Sequence, residues 1–518
     1  MDFKSKEFQI VVSDIELRIE RQESYLALYQ DLGYLVRLSS NRNQIIFGRR
    51  GSGKTHLLGS LTESINENDH KKNIAVFIDL KKLVSPIIGE SPAERKAFVY
   101  FWAILKEIIL QARQEITLRL KILKVPNVKK KHFIDSINLI DKLLEEISAE
   151  NFKARTGELI PKNGTSSMIG FKSDDQSDVP KNFQNTSIRT RIEEVLKEAQ
   201  LNCLTVALDE WTSLTQDIQP ILADMLNKCF FTSKLIVFKI AAIKFRTRLY
   251  IPRKNIGLEL GSDIFADIDL DSSQMWERGL DTSIRFFTEV LKKHLNFSIS
   301  NLGLGLKMFT KSNIMQLFAS EKTFIELVKA SEGVPRDFLN VFRRAYNYFW
   351  NDPKAKRIFI RHVKKAVADW YQEDKISDLN ASSKIYNLLE RLINEVIIRY
   401  RTKQFILLSS ESANRELQQL IDMRLLHLLK QGWSSKGTPG KRFDVFSIDY
   451  GAFISILATK VGKEVQQLWS GDKRLPEVSL RDIRRKEFNI VKSTPGIKQK
   501  NIWKGQQTSQ EQLVLFKV

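Results

Sequence analysis

One eight-residue segment constrains the fold of this 518-residue chain more than any other. It fits the pattern G-x-x-x-x-G-K-[ST] of a phosphate-binding loop and reads Gly48-Arg49-Arg50-Gly51-Ser52-Gly53-Lys54-Thr55. The apolar run 44–47 before it predicts a buried strand, and the segment that begins at His56 predicts the opening of a helix. Strand, loop and helix in this order form the context that phosphate binding requires.

The loop predicts a nucleotide site in which each part has a role. Backbone N–H groups of residues 48–56 are expected to surround the phosphates, and the helix N-terminus adds a favourable dipole. Lys54 is expected to reach the β- and γ-phosphates, and the Thr55 hydroxyl is expected to bind Mg²⁺. ATP and Mg²⁺ are therefore the expected cofactors. The alternative is a degenerate loop that binds nucleotide weakly or not at all.

A pair of carboxylates follows a second apolar run. Residues 204–208 predict a buried strand, and the strand ends in Asp209 and Glu210. The first carboxylate is expected to hold Mg²⁺, usually through water, and the second to orient and deprotonate the attacking water. A surface Asp-Glu pair at an ordinary strand end is the alternative. Together with the phosphate loop, the pair predicts hydrolysis of ATP.

The charge of the chain indicates a polyanionic partner. Lys and Arg number 82 against 61 Asp and Glu, so the net charge is +21. The excess is clustered at Lys129–Lys131 and among eight basic residues between Arg481 and Lys504. These features predict double-stranded DNA as a partner, with solubility as the alternative explanation.

Other features predict a cytoplasmic protein. The chain has only two cysteines, each in an apolar segment, which is typical of buried thiols in a reducing compartment. The first residues lack the apolar centre of a signal peptide. No uncharged apolar run approaches the length of a membrane-spanning helix, so no membrane partner is expected.

Strands that alternate with helical stretches predict an α/β fold with a parallel sheet. Segments low in apolar residues are expected to be mobile, and one lies at about 155–187. The predicted organisation is an α/β core at 1–275 that contains this insertion, a helical region at 276–373, a linker at 374–382, a small domain at 383–460, and a basic tail at 471–518.

These elements together resemble an AAA+ ATPase, and they are similar to the initiator clade of origin-recognition proteins. The resemblance covers roughly residues 20–460. It implies a P-loop α/β ATPase core, a helical lid and a C-terminal winged-helix domain that binds DNA. The phosphate loop and the acidic strand end are specific for a P-loop NTPase, whereas the clade depends on three weaker matches.

The three weaker matches concern residues that would contact the γ-phosphate. After the apolar run 235–243, the first polar residue is Lys244, where the family places a polar sensor that is usually Asn, Ser or Thr. The resemblance implies an arginine finger nearby that acts on the ATP of a neighbouring subunit, with three candidates, Arg246, Arg248 and Arg253. The alternative for these arginines is a phosphate backbone or a local carboxylate.

The third match is Gly333-Val334-Pro335-Arg336, which resembles the start of the lid helix that carries the family's second sensor. The resemblance implies that Arg336 reaches over the γ-phosphate and reports its loss to the lid. The alternative is an arginine at a helix start that pairs with Asp337 or Glu332.

The C-terminal segment has the element order of a winged helix. Helices are expected at 383–398 and, in one or two pieces, at 412–429, and strands are expected at 405–408 and 443–449. A loop rich in Gly and Pro lies between the helical stretch 412–429 and the strand 443–449. Side chains suited to phosphate contacts are Lys436, Lys441 and Arg442, and those suited to a groove are Arg415, Gln418 and Gln419. A winged helix used for protein contacts is the alternative.

The expected function is that of a Mg²⁺-ATP-dependent, DNA-associated ATPase. It would act as a nucleotide-controlled switch or loader for partner proteins, within a homo- or hetero-oligomer. Analogy alone places such a protein in prokaryotic genome defence, such as antiviral defence, or in a mobile element. The alternative is a nucleotide-gated, oligomerising signalling ATPase that recruits an effector without specific DNA binding.

Overall fold

A parallel β-sheet organises the N-terminal half of the chain. The computed structural model describes residues 2–457 apart from 22–23, 68–71, 84–91, 123–126, 157–185, 272–278, 378, 380–382, 400–402, 413 and 435–439. The sheet contains β1 (Gln44–Phe47), β2 (Asn73–Asp79), β3 (Cys203–Asp209), β4 (Ile236–Ala242) and β7 (Phe265–Asp269), and a separate antiparallel pair is formed by β5 (Tyr250–Ile251) and β6 (Ile256–Gly257).

The spatial order of the sheet is β2-β3-β4-β1-β7, and neighbouring strands are parallel. Every residue of β1, β3 and β4 is buried. Such continuous burial is expected when helices cover both faces of a parallel sheet, and it accounts for the mostly apolar runs in the sequence. The predicted α/β fold with a parallel sheet is confirmed.

The helices of the N-terminal half are α1 (Lys6–Arg21), α2 (Tyr25–Leu28), α3 (Tyr34–Leu38), α4 (Lys54–Asn66), α5 (Leu80–Leu83), α6 (Ala93–Ile122), α7 (Asn127–Thr156), α8 (Thr186–Glu198) and α9 (Ile218–Leu226). The two long helices α6 and α7 pack on each other. Most of the predicted insertion at about 155–187 lies outside the described residues, as does the whole predicted tail at 471–518.

A second hydrophobic core begins in the helical region, formed by α10 (Leu280–Leu302), α11 (Lys311–Ile314), α12 (Glu321–Ala330), α13 (Pro335–Trp350) and α14 (Ile360–Trp370). Helix α1 belongs to this core, because its buried Phe8 and Val11 pack among these helices. The Phe8 ring lies 5.6 Å from the ring of Tyr346 in α13. Helix α1 therefore packs with the helical region although it lies within the predicted span 1–275 of the α/β core, and the domain boundaries stay a prediction.

The C-terminal segment combines a three-stranded antiparallel sheet with short helices. Its elements are α15 (Ser383–Leu392), β8 (Gln404–Leu408), α16 (Arg415–Asp422), β9 (Leu426–Trp433), β10 (Phe443–Ile448) and α17 (Tyr450–Leu457), and the sheet order is β8-β10-β9. Buried residues of this segment are continuous with the core of the helical region. Within the predicted linker, Lys375 is packed as well, since it is only 2% exposed.

The prediction of helix up to Leu429 is wrong beyond Asp422. Arg424 adopts a left-handed conformation with φ of 61°, which ends α16. The Leu425 N–H then donates to the Leu420 carbonyl and the Arg424 N–H to the Ile421 carbonyl, as in a Schellman motif. The leucines that follow lie on β9 and pair with β10, so tertiary pairing overrides their helical spacing.

No helix within the described residues combines the length and the apolar character that a bilayer crossing requires.

Replacing Phe8 tests the assignment of α1 to the helical region. Phe8 is completely buried, so Phe8→Ala is expected to lower the free energy of unfolding by about 3 kcal/mol through lost burial and a residual cavity. Urea denaturation measures this change. Ile10→Ala is the control, because Ile10 lies on the same helix but is 48% exposed, and a change of roughly 0.5 kcal/mol or less is expected. Similar losses in both variants would contradict the packing of α1 on the helical region.

Candidate nucleotide-binding site

The phosphate loop leaves the carboxyl end of β1 and leads directly into α4, which begins at Lys54. Gly51 and Gly53 have φ of 80° and 98°, a left-handed conformation that glycine adopts at little cost. A Cβ atom at Gly51 would lie 2.9 Å from the Arg336 Cβ and 3.0 Å from the Val334 Cγ1. The loop therefore requires glycine here both for its backbone conformation and for the close approach of the helical region.

A cavity of about 560 Å³ opens above the loop, a size typical of small-molecule sites. The α/β core lines it with residues of the loop from Arg50 to His56, with Asp79, Lys81 and Lys82, and with Asp209, Glu210 and Ile243. The helical region closes the opposite side with Phe286, Val290, His294, Pro335, Arg336 and Leu339, and the segment Leu28–Gln30 completes the wall. The cavity thus lies between the α/β core and the helical region.

Lys54 is held in the loop by two backbone carbonyls. Its Nζ donates to the carbonyl oxygens of Gly48 and Arg49, each at 2.8 Å. An ammonium group has three donors, so one remains for a phosphate oxygen. Burial lowers the pKa of Lys54, although Asp271, Asp209 and Glu210 act in the opposite direction.

Asp209 is a buried carboxylate at the end of β3, only 2% exposed. Burial raises its pKa to about 6, while a hydrogen bond from the Thr55 side chain opposes this shift. Among the residues that the structure describes, none forms a hydrogen bond with its Oδ1. A buried carboxylate oxygen that lacks a partner and lies beside a threonine hydroxyl fits a Mg²⁺ ion, which is usually bound by one or two carboxylates, substrate phosphates and water. Thr55 and Asp209 are the residues that would hold it.

Glu210 follows Asp209 at the rim of the cavity and is exposed. Its φ of 56° places a non-glycine residue in the left-handed region, a form of backbone strain that occurs frequently at functional sites. The strained backbone turns the chain after β3, so that neighbouring carboxylates occupy different environments. Asp209 is enclosed, whereas Glu210 is accessible to water, as its predicted role as a base requires.

Arg336 brings the helical region to the phosphate loop. It lies in the first turn of α13, and its backbone N–H donates to the Gly51 carbonyl at 3.4 Å. Its side chain lines the cavity. Burial lowers the pKa of Arg336, and the positive charge of Arg424 is a second cause. Burial, together with Arg336, lowers the pKa of His56 to about 4, so this ring is neutral at physiological pH.

Other residues proposed from the sequence lie outside the cavity. Gly48 and Arg49 do not line it, and the Arg49 side chain forms an ion pair with Asp271 at 3.1 Å instead. Lys244 lines a neighbouring cavity, and its Nζ lies 3.9 Å from the Asp269 carboxylate.

The arginine-finger candidates also differ in their surroundings. Arg246 forms an ion pair with Asp422 of α16. Arg248 is exposed, and its backbone N–H donates to the Gln219 side chain at 2.8 Å. Arg253 is exposed on the turn between β5 and β6.

Sequence reasoning missed the far wall of the cavity, where Phe286, Val290 and His294 lie on α10. Their spacing of four residues is that of one helix face, and this was the signal that the sequence offered. The same spacing describes any helix packed on a core. Only the position of α10 over the phosphate loop identifies this face as part of the site.

No protein-family model and no curated protein matches the sequence. Among solved structures, the chain is similar to a variant of RuvB from Thermotoga maritima, with 12% identity, a TM-score of 0.30, and coverage of 83% of this chain and 90% of RuvB. It is also similar to a chain in the structure of Drosophila ORC bound to DNA, with 12% identity, a TM-score of 0.28, and coverage of 90% and 99%. At these TM-scores the overall superposition is poor, so the fold is assigned from the sheet described above.

Replacing Asp209 tests whether its buried carboxylate is costly when it is charged and whether it binds a metal ion. Its pKa of about 6 lies above the ordinary 3.8, so the folded state binds more protons than the unfolded state between these values, and stability falls as pH rises through this range. Asp209→Asn is expected to raise the free energy of unfolding by about 2 kcal/mol at pH 7 and by less at pH 5. The variant should also lose the Mg²⁺ dependence of nucleotide binding.

Thermal unfolding at both pH values, without nucleotide, measures the stability change. Asp444→Asn is the control, since this buried carboxylate accepts hydrogen bonds from Ser409 Oγ at 2.8 Å and the Gly432 N–H at 2.9 Å. No comparable gain is expected for it. An equal gain at pH 7 and pH 5 in Asp209→Asn would show that the carboxylate charge is not the cause.

Proposed function

We propose that the protein is a Mg²⁺-dependent AAA+ ATPase that associates with double-stranded DNA and acts as a nucleotide-controlled switch or loader for partner proteins. One observation carries the ATPase proposal. Loop residues from Arg50 onward, the Asp209-Glu210 pair and Arg336 of the helical region all line a single cavity. These groups come from segments up to about 290 residues apart, so the fold, rather than local sequence, assembles them.

Each group has a chemical task in this proposal. Lys54 and the loop N–H groups bind the phosphates, and Thr55 and Asp209 hold the metal ion. When bound, Mg²⁺ would neutralise charge on the phosphate oxygens. Glu210 accepts a proton from the attacking water, and Arg336 contributes positive charge from the opposite wall.

The sheet brings the proposed catalytic groups together. Strand β4 lies between β1, which carries the phosphate loop, and β3, which carries the carboxylates. Because these strands are parallel, the loop after β1 and the carboxylates after β3 lie at the same edge of the sheet, which supports a P-loop ATPase core. The helical region then corresponds to the proposed lid, and its contact with Gly51 gives the lid a direct route to the bound phosphates.

Charge and topology support association with DNA. The net charge is +21, and the C-terminal sheet has a hairpin between β9 and β10. Lys441 and Arg442 are exposed at the end of this hairpin, while Lys436 lies outside the described residues. A basic hairpin beside a short helix is suited to phosphate contacts, which supports the winged-helix proposal. A role in genome defence or in a mobile element stays a prediction from sequence analogy.

One contact favours the alternative of a signalling ATPase that does not bind DNA specifically. The proposed groove-reading helix α16 is tied to the α/β core, because Asp422 at its end forms an ion pair with Arg246. A helix fixed against the ATPase core is less free to enter a DNA groove. In this alternative, nucleotide state would control oligomerisation and recruitment of an effector.

Glu210→Gln tests the proposed base. Loss of the proton acceptor is expected to lower ATP hydrolysis by about 10²-fold or more, while ATP affinity is retained because the phosphate loop is intact. Phosphate release and equilibrium binding of a fluorescent ATP analogue measure the two quantities. Lys54→Ala is expected to lose binding itself.

Glu67→Gln is the matched control, because Glu67 is exposed at the end of α4 and does not line the cavity. Hydrolysis that survives in Glu210→Gln would assign the base to another residue. Unchanged binding in Lys54→Ala would reject the nucleotide site.

The salt dependence of DNA affinity separates the two functions. If Lys441 and Arg442 contact phosphates, the double variant Lys441→Gln/Arg442→Gln should reduce the slope of log affinity against log salt by roughly 2, about 1 for each contact. Lys307→Gln is the control, since Lys307 is exposed in the helical region. Fluorescence anisotropy measures the DNA affinity between about 50 and 200 mM salt, a range over which such slopes are resolved. An affinity that does not change with salt would favour the signalling alternative.

A further inference from the structure

Arg49 links the phosphate loop to three other parts of the molecule. Its backbone N–H donates to both carboxylate oxygens of Asp271, each at 2.9 Å, and its Nε donates to the same carboxylate at 3.1 Å. Its Nη2 donates to the Glu332 carbonyl at 2.9 Å, just before α13. Its Nη1 contacts Nδ1 of His427 on β9. The residue is only 5% exposed, so these contacts are shielded from water.

His427 is a neutral connector between two charged groups. Nη1 of Arg49 can only donate, so Nδ1 of His427 must accept, and the ring proton lies on Nε2. Nε2 then donates to Asp449 at 2.9 Å. Burial, with Arg49 as the second cause, lowers the pKa of His427 to about 4, which keeps the ring neutral at physiological pH. His427 is completely buried.

The chain of contacts continues from Asp449 to the helix that carries Arg336. Lys375 Nζ lies 2.6 Å from the Asp449 carboxylate and 3.2 Å from that of Asp337. Burial alone would lower the pKa of Lys375, but Asp449 and Asp337 outweigh it and raise the pKa. Asp337 also pairs with Arg424, and it directly follows Arg336 in α13. Buried polar contacts therefore connect Arg49 in the phosphate loop with Asp337, the residue next to Arg336.

We propose that the Arg49–His427 contact couples the phosphate loop to the C-terminal segment 403–457, so that docking of this segment holds the loop in the form that binds nucleotide. The proposal rests on the proposed function, because it concerns regulation of the same site. Arg49 acts as a positioning residue in it. Its side chain does not line the cavity and instead fixes the backbone directly before Arg50, where the lining part of the loop begins.

The geometry at Lys54 gives this coupling a physical route. The two carbonyls that Lys54 holds belong to Gly48 and Arg49, on either side of the Arg49 Cα atom. Attraction of Lys54 to a phosphate therefore acts on the backbone from which the Arg49 side chain projects. Displacing that side chain would leave buried polar groups without partners, which is costly.

Coupling between two sites is reciprocal, so nucleotide must stabilise the docked segment as much as docking favours nucleotide. This makes the proposal testable in the wild-type chain. A non-hydrolysable ATP analogue with Mg²⁺ is expected to slow amide hydrogen exchange in β9 and α16 at least about threefold, a change that hydrogen exchange with mass spectrometry resolves.

Variants of His427 identify the contact responsible. His427→Leu removes the acceptor for Arg49 and the donor to Asp449, and it is expected to weaken binding of the ATP analogue about tenfold. His427→Gln can keep both hydrogen bonds and should restore most of the affinity. The matched control is His362→Leu, because His362 is also buried and its Nε2 lies 3.1 Å from an aspartate, Asp352, but it belongs to the helical region away from the loop.

A cycle with Arg49→Met distinguishes positioning from direct phosphate binding. If Arg49 acts through His427, the effects of Arg49→Met and His427→Leu on affinity are not additive, and the double variant binds about as well as Arg49→Met, which also loses the contacts with Asp271 and Glu332. Additive losses would overturn the proposal.

The remaining outcomes separate this proposal from the proposed function. A wild-type chain that binds no ATP analogue would reject the nucleotide site itself. Binding by the wild type without slower exchange in β9 would reject the coupling alone, and this result does not depend on whether His427→Leu folds. Equal affinity in wild type and His427→Leu would also reject the coupling.

Discussion

The contact between Gly51 and the first turn of α13 is the constraint on which the site depends. The Gly51 carbonyl accepts a hydrogen bond from the Arg336 N–H at 3.4 Å, and no side chain fits between the two backbones. Because the cavity lies between the α/β core and the helical region, its volume is defined by this approach. A nucleotide bound there would touch both units, so its phosphates are able to influence their relative position.

Buried charges, rather than apolar area, specify how the C-terminal segment sits on the other two units. Apolar contacts tolerate many relative positions, whereas Lys375, Asp337 and Asp449 are all at most 2% exposed and are satisfied only in one arrangement. Such ion pairs contribute little net stability compared with apolar residues of similar size. Their effect here is to make any displaced arrangement unfavourable, because displacement would leave a buried charge without its partner.

The sequence could predict those parts of the molecule that depend on local pattern. The buried strands, the phosphate loop and the Asp209-Glu210 strand end are all encoded within a few consecutive residues. The destination of the Arg49 side chain could not be predicted, because its partner His427 lies 378 residues away. Strand β9 was missed for the same reason, since pairing with β10 and the left-handed Arg424 decide between strand and helix.

The packing of α1 has a consequence for synthesis of the chain. The apolar side chains of α1, including Phe8 and Val11, are covered by helices that begin at Leu280. About 260 residues are translated between the end of α1 and that point, which at 5–20 residues per second takes roughly 13–50 s. During this interval the helices that cover Phe8 and Val11 in the folded protein have not yet been synthesised. Helix α1 of the nascent chain therefore exposes apolar side chains of the kind that chaperones bind.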